Sequence, residues 1–414
     1  MAAAARLAKL GHPVTLYEAR DRLGGTWAPY VLPGTDVLVD DAPAVVGFPA
    51  PWRDLFRKSG RPLEAELQRA GYALVPAAPT RYTLSTGEEL VLPTHRGEQD
   101  TEITYRYELS AGSRWRGLAD GLDDVWQALR PLGLESERAP GALGRDVRRR
   151  LWARRTVADL AEQPGHDALR AVLRSLAYRQ GSVPERTPAL AAVDLSLSRT
   201  FGRWQVEPLA GGAGDLGRTS VLVGLLADRL RLRGVEVRLG TRVLEVLHDG
   251  IRVTGVATAS GSHPAGAVVL TADLAEAARL APRVGDLRRA ARRARPALAP
   301  TITHTLVEPP ATVSETVDLD GDGVPVVTYE HRSGEAGVKT VHDYRRPVPR
   351  PSYGLAGSGS GGAGPAFRAW ARRPGTRTGL PGLVLAGPFT PAGPGASQVV
   401  LSAALAAYAI GGQH

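Results

Sequence analysis

Residues 2–25 read AAAARLAKLGHPVTLYEARDRLGG, and this order of residue types narrows the choice of fold more than any other part of the chain. The small residues of 2–10 predict a helix, and Gly11 supplies its stop. Pro13 and the mostly apolar residues 14–17 then predict a short strand, which ends on an acid, Glu18. Two adjacent glycines, Gly24 and Gly25, close the segment, and there a backbone can approach a bound group where a Cβ would collide. A helix feeding a short strand tipped by a carboxylate is the second half of a βαβ unit, so an α/β protein with parallel strands is expected.

In a βαβ unit that binds a dinucleotide, the acid at the tip of the second strand accepts hydrogen bonds from a ribose. A first strand and a G-x-G-x-x-G turn lay the pyrophosphate on the helix N-terminus. Met1 stands about where that turn would finish, so the expectation is a Rossmann-like unit without its first strand and glycine-rich turn. The run EARDRLGG resembles the flavoprotein signature of amine oxidases and phytoene desaturases. That resemblance implies FAD as cofactor, with Glu18, Ala19, Arg20, Arg22, Gly24 and Gly25 beside it.

Further segments extend the likeness. Residues 39–43 (VDDAP) resemble a desaturase F-D-x-G-P element in Asp40 and Pro43, with Ala42 replacing its glycine. Residues 220–232 predict a helix with Val221, Leu225, Leu226 and Leu230 on one face. Short strands broken at Gly240, Asp249 and Gly250 follow, then a returning strand over 266–270 that leads into Thr271-Ala272-Asp273. This order is similar to the family's middle region and implies that the backbone at Val243 pairs with the flavin's adenine. Residues 381–410 predict a strand, a Gly/Pro turn and an alanine-rich helix starting near Ser397. Here Gly387, Thr390, Gly393, Gly395, Val399 and Ser402 match the desaturase terminal pattern, which implies cofactor contacts at Gly387, Thr390, Ser397, Gln398 and Val399. Pro388, Pro391, Ala392, Ser397 and Gln398 depart from that pattern, as do Thr26 and Trp27 after the glycine pair. Different partners are therefore expected at the flavin's edge.

Composition sets the outer limits. At 414 residues, with 43% hydrophobic and 22% charged residues, the chain can build two cores. The absence of cysteine excludes disulfides, thiolate metal sites and a cysteine nucleophile. No run of 18 apolar residues is present, and the expectation is a cytoplasmic protein without a secretion signal. The net charge of +9 is carried almost wholly by arginine, the only lysines being Lys9, Lys58 and Lys339. Two dense arginine clusters, residues 145–155 and 288–295, read as solvated helix faces, with contact to an anionic membrane surface as the alternative. No motif points to nucleic acid.

The domain organisation expected is a discontinuous FAD-binding domain from residues 1–75, 210–290 and 370–414, and an α+β substrate-binding domain from 76–209 and 291–369. Within the latter, residues 115–130 predict the clearest helix, stopped by Pro131, and 151–179 predict two more, broken at Pro164-Gly165. Residues 318–323 (DLDGDG) resemble half a calcium loop, but Tyr329 stands where the closing glutamate belongs, so a turn between strands is expected. Residues 356–364 (AGSGSGGAG) read as a flexible linker. There is no serine elbow, H-E-x-x-H or Walker A motif. His95, His166, His304 and His342 are candidate polar groups, but none is marked as a catalytic base.

The resemblance implies an FAD-dependent, phytoene dehydrogenase-like oxidoreductase that desaturates a hydrophobic polyene by hydride transfer to flavin. A flavin amine oxidase-like enzyme and a non-catalytic remnant with impaired FAD binding remain as alternatives.

Overall fold

Alanine on two helices sets the packing on which the first layer is built. The computed structural model describes residues 1–137, 143–209, 214–355 and 362–412. Residues 210–213 and most of the glycine-rich linker lie outside them. The helix Ala2–Lys9 buries Ala3, Ala4 and Ala5, while the helix Ala396–Gly411 buries Ala403, Ala404, Ala406 and Ala407. With so little side chain between them the two axes can approach closely, and Ala3 shares a core with Val384, Ala386, Ala403 and Ala406. On its other side the first helix packs through Ala4 and Ala5 against Trp52, Leu55, Phe56, Leu222 and Leu226. Arg6, buried within this packing, pairs with Asp54 and donates from Nη1 to the Tyr408 hydroxyl at 3.3 Å.

The strand Thr15–Tyr17 follows Gly11, whose φ of +89° is the left-handed stop expected of glycine. It runs parallel to Glu236–Arg238, with Thr15 opposite Glu236. A second parallel pair joins Val268–Leu270 to Leu383–Leu385. The helix Ser220–Leu232 leads into Glu236–Arg238, and the antiparallel meander Val243–His248, Val253–Thr258 and Gly261–Pro264 lies between that strand and Val268–Leu270 in sequence.

The parallel strands of this layer thus form two separate pairs among the described residues. Glu236 N–H donates to Val14 O and Glu18 N–H to Arg238 O, so Thr15 and Tyr17 turn their backbone groups to the opposite edge. Val268 N–H donates to Gly382 O and Ala386 N–H to Leu270 O, which leaves Val269 facing away in the same manner. Both edges line one large cavity.

Above this layer stands a six-stranded sheet in the order Pro296–Val307, Ala336–Leu355, Pro325–Ser333, Ser314–Leu319, Thr80–Thr83, Glu89–Leu92. All neighbours are antiparallel except Ser314–Leu319 with Thr80–Thr83. Helices Arg96–Leu129 and Asp167–Arg179 bury Ile103, Trp115, Leu122, Leu169 and Leu173 against Val317, Val327 and Tyr329 of this sheet. A small sheet of Val46–Gly47, Arg203–Pro208 and Tyr72–Pro76 ties the layers together.

Several local expectations shift. The helix expected over 115–130 begins at Arg96 and is interrupted at Tyr107 and Glu108, the latter with φ +73°. Charged residues dominate its first turns, so the sequence pattern is weak there, and burial of Ile103 and Tyr107 supplies the missing stability. The region expected to hold two helices holds Val157–Ala161, closed by a Thr156–Asp159 capping box, and Asp167–Arg179. Residues 318–323 turn between two strands as expected, with Asp320 Oδ1 accepting from Asp322 N–H and Val324 N–H.

Hydrogen exchange tests the open edges. The amides of Thr15, Tyr17 and Val269 are expected to exchange at least about tenfold faster than those of Leu16 and Leu270, which belong to the ladders. Equal protection would mean that another group covers them.

Candidate functional site

The cavity between the layers has a volume of about 1780 Å³, beyond the roughly 300–1,000 Å³ of an ordinary small-ligand pocket. It has room for an extended cofactor and a second molecule. Of the residues marked in the sequence, Glu18, Ala19, Arg20, Gly24, Gly25, Val243, Gly387, Ser397, Gln398 and Val399 line it. Arg22 and Thr390 do not. Arg22 stacks over the Tyr30 ring at 5.9 Å. The buried Thr390 hydroxyl donates to Gly387 O at 3.0 Å and holds the turn ahead of the last helix.

Glu18 is half-buried at the tip of its strand. Its Oε1 accepts from Arg20 N–H at 2.8 Å, which orients the carboxylate and leaves acceptor sites for hydroxyl donors. The helices Ala2–Lys9 and Ala396–Gly411 both begin at the cavity wall, and neither N-terminus has a side-chain cap. Uncapped first turns leave backbone N–H groups and the positive end of the helix dipole for an anion. A carboxylate for ribose and two such ends for phosphate oxygens are a donor set that fits a dinucleotide.

The two glycines do different work. Gly25, at φ +61°, has nothing within 4 Å of where its Cβ would stand. A Cβ on Gly24, at φ +111°, would lie 2.7 Å from Val223 Cγ1 and 3.1 Å from the Ala28 backbone. Gly24 therefore serves the contact with helix Ser220–Leu232, a role that the sequence reading assigned to cofactor approach alone. Gly387, at φ +152°, would meet the Phe389 ring at 2.8 Å.

On the cap side of the cavity, sequence reasoning named His304 and His342 without a role and missed Asp41, Tyr30 and His331 beside them. Asp41 lines it, with Tyr30 OH donating to Oδ1 at 3.0 Å and His304 Nε2 3.4 Å from the same oxygen. His304 Nδ1 lies 3.0 Å from Thr340 Oγ1, and His331 Nε2 lies 2.9 Å from it. These contacts make a polar chain from the buried sheet to the cavity wall. Burial pushes Asp41 up, but hydrogen bonds from His304 and Tyr30 outweigh it and hold the carboxyl below its ordinary range. Burial, then the charge of Asp41, pushes Tyr30 up to about 12. Asp40, matched in the sequence, is a buried structural acid instead: burial raises it, and Arg218 Nε stands 3.5 Å from its Oδ2. Arg179 and Arg203 share Glu315, which is 2% exposed at its side chain. The signal for Asp41 was present in the Asp40-Asp41 pair, but of its partners only Tyr30 is near in sequence, and His304 comes from a strand 263 residues away. Of the other candidate histidines, His95 precedes the helix Arg96–Leu129, and His166 caps Asp167–Arg179 from Nδ1.

A carboxylate-tipped strand and two helix ends around one cavity, roofed by a mixed sheet, form a site suited to a dinucleotide. The chain belongs to the flavin-containing amine oxidoreductase family, which its residues 1–337 match and whose members typically bind FAD. It is distantly similar to carotenoid desaturases: 28% identical over 300 residues to hydroxyneurosporene desaturase of Cereibacter sphaeroides, covering 69% of this chain and 56% of that protein. Phytoene desaturase (lycopene-forming) of a Paracoccus species is 25% identical over 283 residues, covering 66% and 51%. The chain thus spans about half the length of these curated relatives. Among solved structures, an oxidoreductase from Methanosarcina mazei matches with a TM-score of 0.64 at 14% identity, covering 97% of this chain and 96% of that one. Putrescine oxidase bound to putrescine matches with a TM-score of 0.64 at 16% identity, covering 98% and 94%. These likenesses show the fold. Among the described residues no helix is long and apolar enough to cross a membrane, and no group of acids and histidines could hold a metal ion.

Burial pushes His342 down to about 3. A histidine in the unfolded chain takes up its proton near pH ~6.5. Between about pH 6.5 and about pH 3 the unfolded state binds more protons at this position, so stability is lost as pH falls. His342→Gln should therefore flatten the rise of unfolding free energy with pH by about 1.4 kcal/mol per unit between roughly pH 6 and 4. Denaturant titrations at several pH values measure this; an unchanged slope would mean that the ring protonates in place.

Proposed function

We propose that this protein is an FAD-dependent dehydrogenase that removes a hydride and a proton from adjacent carbons of a hydrophobic, polyene-like substrate, leaving a new double bond. The observation that carries the reading is the convergence of Glu18 and the two uncapped helix N-termini on one cavity. When bound, FAD supplies the ring that accepts the hydride. Glu18 would take the ribose hydroxyls, the helix ends the phosphate oxygens, and the region from Gly387 to Val399 the flavin. Asp41, kept ionised by Tyr30 and His304, is the cavity carboxylate suited to accept the proton. The apolar side chains Phe48, Leu195, Leu197 and Leu298 give the substrate dry walls.

A second reading, oxidation of an amine, is favoured by the same carboxylate, since Asp41 beside the cavity would also hold an ammonium group. Substrate trials separate the two: a polyene should be desaturated, and a primary amine left unchanged.

Flavin titration followed by absorbance is the first test. Glu18→Gln should weaken FAD binding by about 10- to 100-fold, the worth of one or two charge-assisted hydrogen bonds. An engineered chain with a V-V-x-G-x-G-x-x-G strand added ahead of residue 1 should bind FAD more tightly, by pairing with the edges of Thr15–Tyr17 and Val268–Leu270. A protein that stays colourless in both forms would refute the reading. Asp41→Asn should lower turnover by about 10²- to 10⁴-fold with FAD affinity unchanged.

A further inference from the structure

A smaller lobe of about 360 Å³ adjoins the main cavity, and Phe48, Gln180, Asp194, Leu197 and Gln398 line both. Its walls are apolar, built from Trp126, Leu129, Leu190, Val193 and Trp370. At its inner end Asp194 takes hydrogen bonds from Gln180 and, at 3.5 Å, from Gln398 Nε2, and burial pushes its carboxyl up to about 6. The remaining border is basic. Arg293 and Arg295, at the end of helix Gly285–Arg293, line it together with Arg368 and Arg372, in and after helix Ala363–Ala371, and all four are exposed.

Abundant arginine alone does not account for this ring. Elsewhere on the surface, helical arginines pair with an acid three residues earlier, as in Arg149–Asp146, Arg170–Asp167, Arg231–Asp228 and Arg279–Glu276. At the lobe the corresponding positions are Ala290, Arg292, Pro365 and Ala369. These four arginines make no ion pair among the described residues, and Asp194 is the only acid among the described residues that line the lobe. Two segments about 75 residues apart thus bring uncompensated positive charge to the rim of an apolar passage leading towards the cofactor cavity.

We infer that this lobe receives a substrate made of an apolar chain with an oxyanion, carboxylate or phosphate, at one end. The chain lies along Trp126, Leu197 and Trp370 with its far end at the main cavity, while the oxyanion stays at the arginine rim. Guanidinium groups suit it because they bind either oxyanion through two parallel N–H donors. The inference rests on the reading of the main cavity as the flavin seat, and it narrows the substrate from a plain hydrocarbon to an acidic amphiphile.

The test uses the full chain and cis-parinaric acid, a fluorescent polyene carboxylate, with its methyl ester as the uncharged control. The acid should bind at least about tenfold more tightly than the ester. Replacing Arg293 and Arg368 together by serine should abolish that preference while the ester's affinity and the melting temperature stay unchanged. Ala369→Trp, which fills the lobe, should weaken acid and ester alike. Dodecanoate and dodecyl phosphate should displace the probe and dodecanol should not, the better of the two anions identifying the head group. Equal binding of acid and ester, or an acid preference that survives the double replacement, would overturn the inference. So would arginine-dependent co-sedimentation with phosphatidylglycerol vesicles without any effect on free parinarate, which would make the rim a membrane contact. FAD titration of the same samples separates the two claims: failure of FAD to bind strikes the flavin reading, whereas intact FAD binding without acid preference strikes only this one.

Discussion

The site depends on a contact between alanines. Helices Ala2–Lys9 and Ala396–Gly411 come from opposite ends of the chain and press together through Ala3, Ala403 and Ala406. Larger side chains would hold the axes apart, and interiors packed at crystal-like density tolerate little such change. The contact delivers two uncapped N-termini to one cavity wall. It also leaves Glu18 beside them, because only a short turn and a strand separate it from the first helix.

On the opposite wall the cap contributes charge of a different kind. Its sheet carries Glu315, His331 and His342 inward, each less than 6% exposed. Buried ionisable groups cost free energy unless they are paired or neutralised. The structure does both: Arg179 and Arg203 neutralise Glu315, while burial drives His331 and His342 to the neutral form. Asp41 stays ionised through its hydrogen bonds with Tyr30 and His304, which concentrates negative charge where the six-stranded sheet meets the layer that carries Glu18. The outer lobe reverses this sign with its arginine rim. The cavity is therefore polar at chosen points and apolar between them, an arrangement suited to orienting a long molecule.

Legibility in the sequence followed the range of the interactions. Helix, glycine stop, strand and acid over residues 2–18 are set by propensity and turn chemistry within a few residues, and they appear where the pattern placed them. The same holds for the meander and for the alanine-rich last helix. The long cap helix was read only in its second half, since its first half is charged and is held by burial of Ile103 and Tyr107 in a core drawn from several distant segments. Thr390 and Arg22, placed in the expected cofactor set by motif, make local contacts that the sequence does not show, with Gly387 O and the Tyr30 ring.

By itself, then, the sequence determined an α/β framework, its family and the acid at the strand tip, because these rest on local periodicity and on glycine and proline at fixed steps. Only the tertiary structure decided that the parallel strands of the Glu18 layer stand as two pairs, that Asp41 gathers Tyr30 and His304, and that four arginines without an ion pair among the described residues line an apolar lobe. The reason is physical: burial, pairing and charge compensation depend on which distant segments meet, and a chain read residue by residue does not contain those distances.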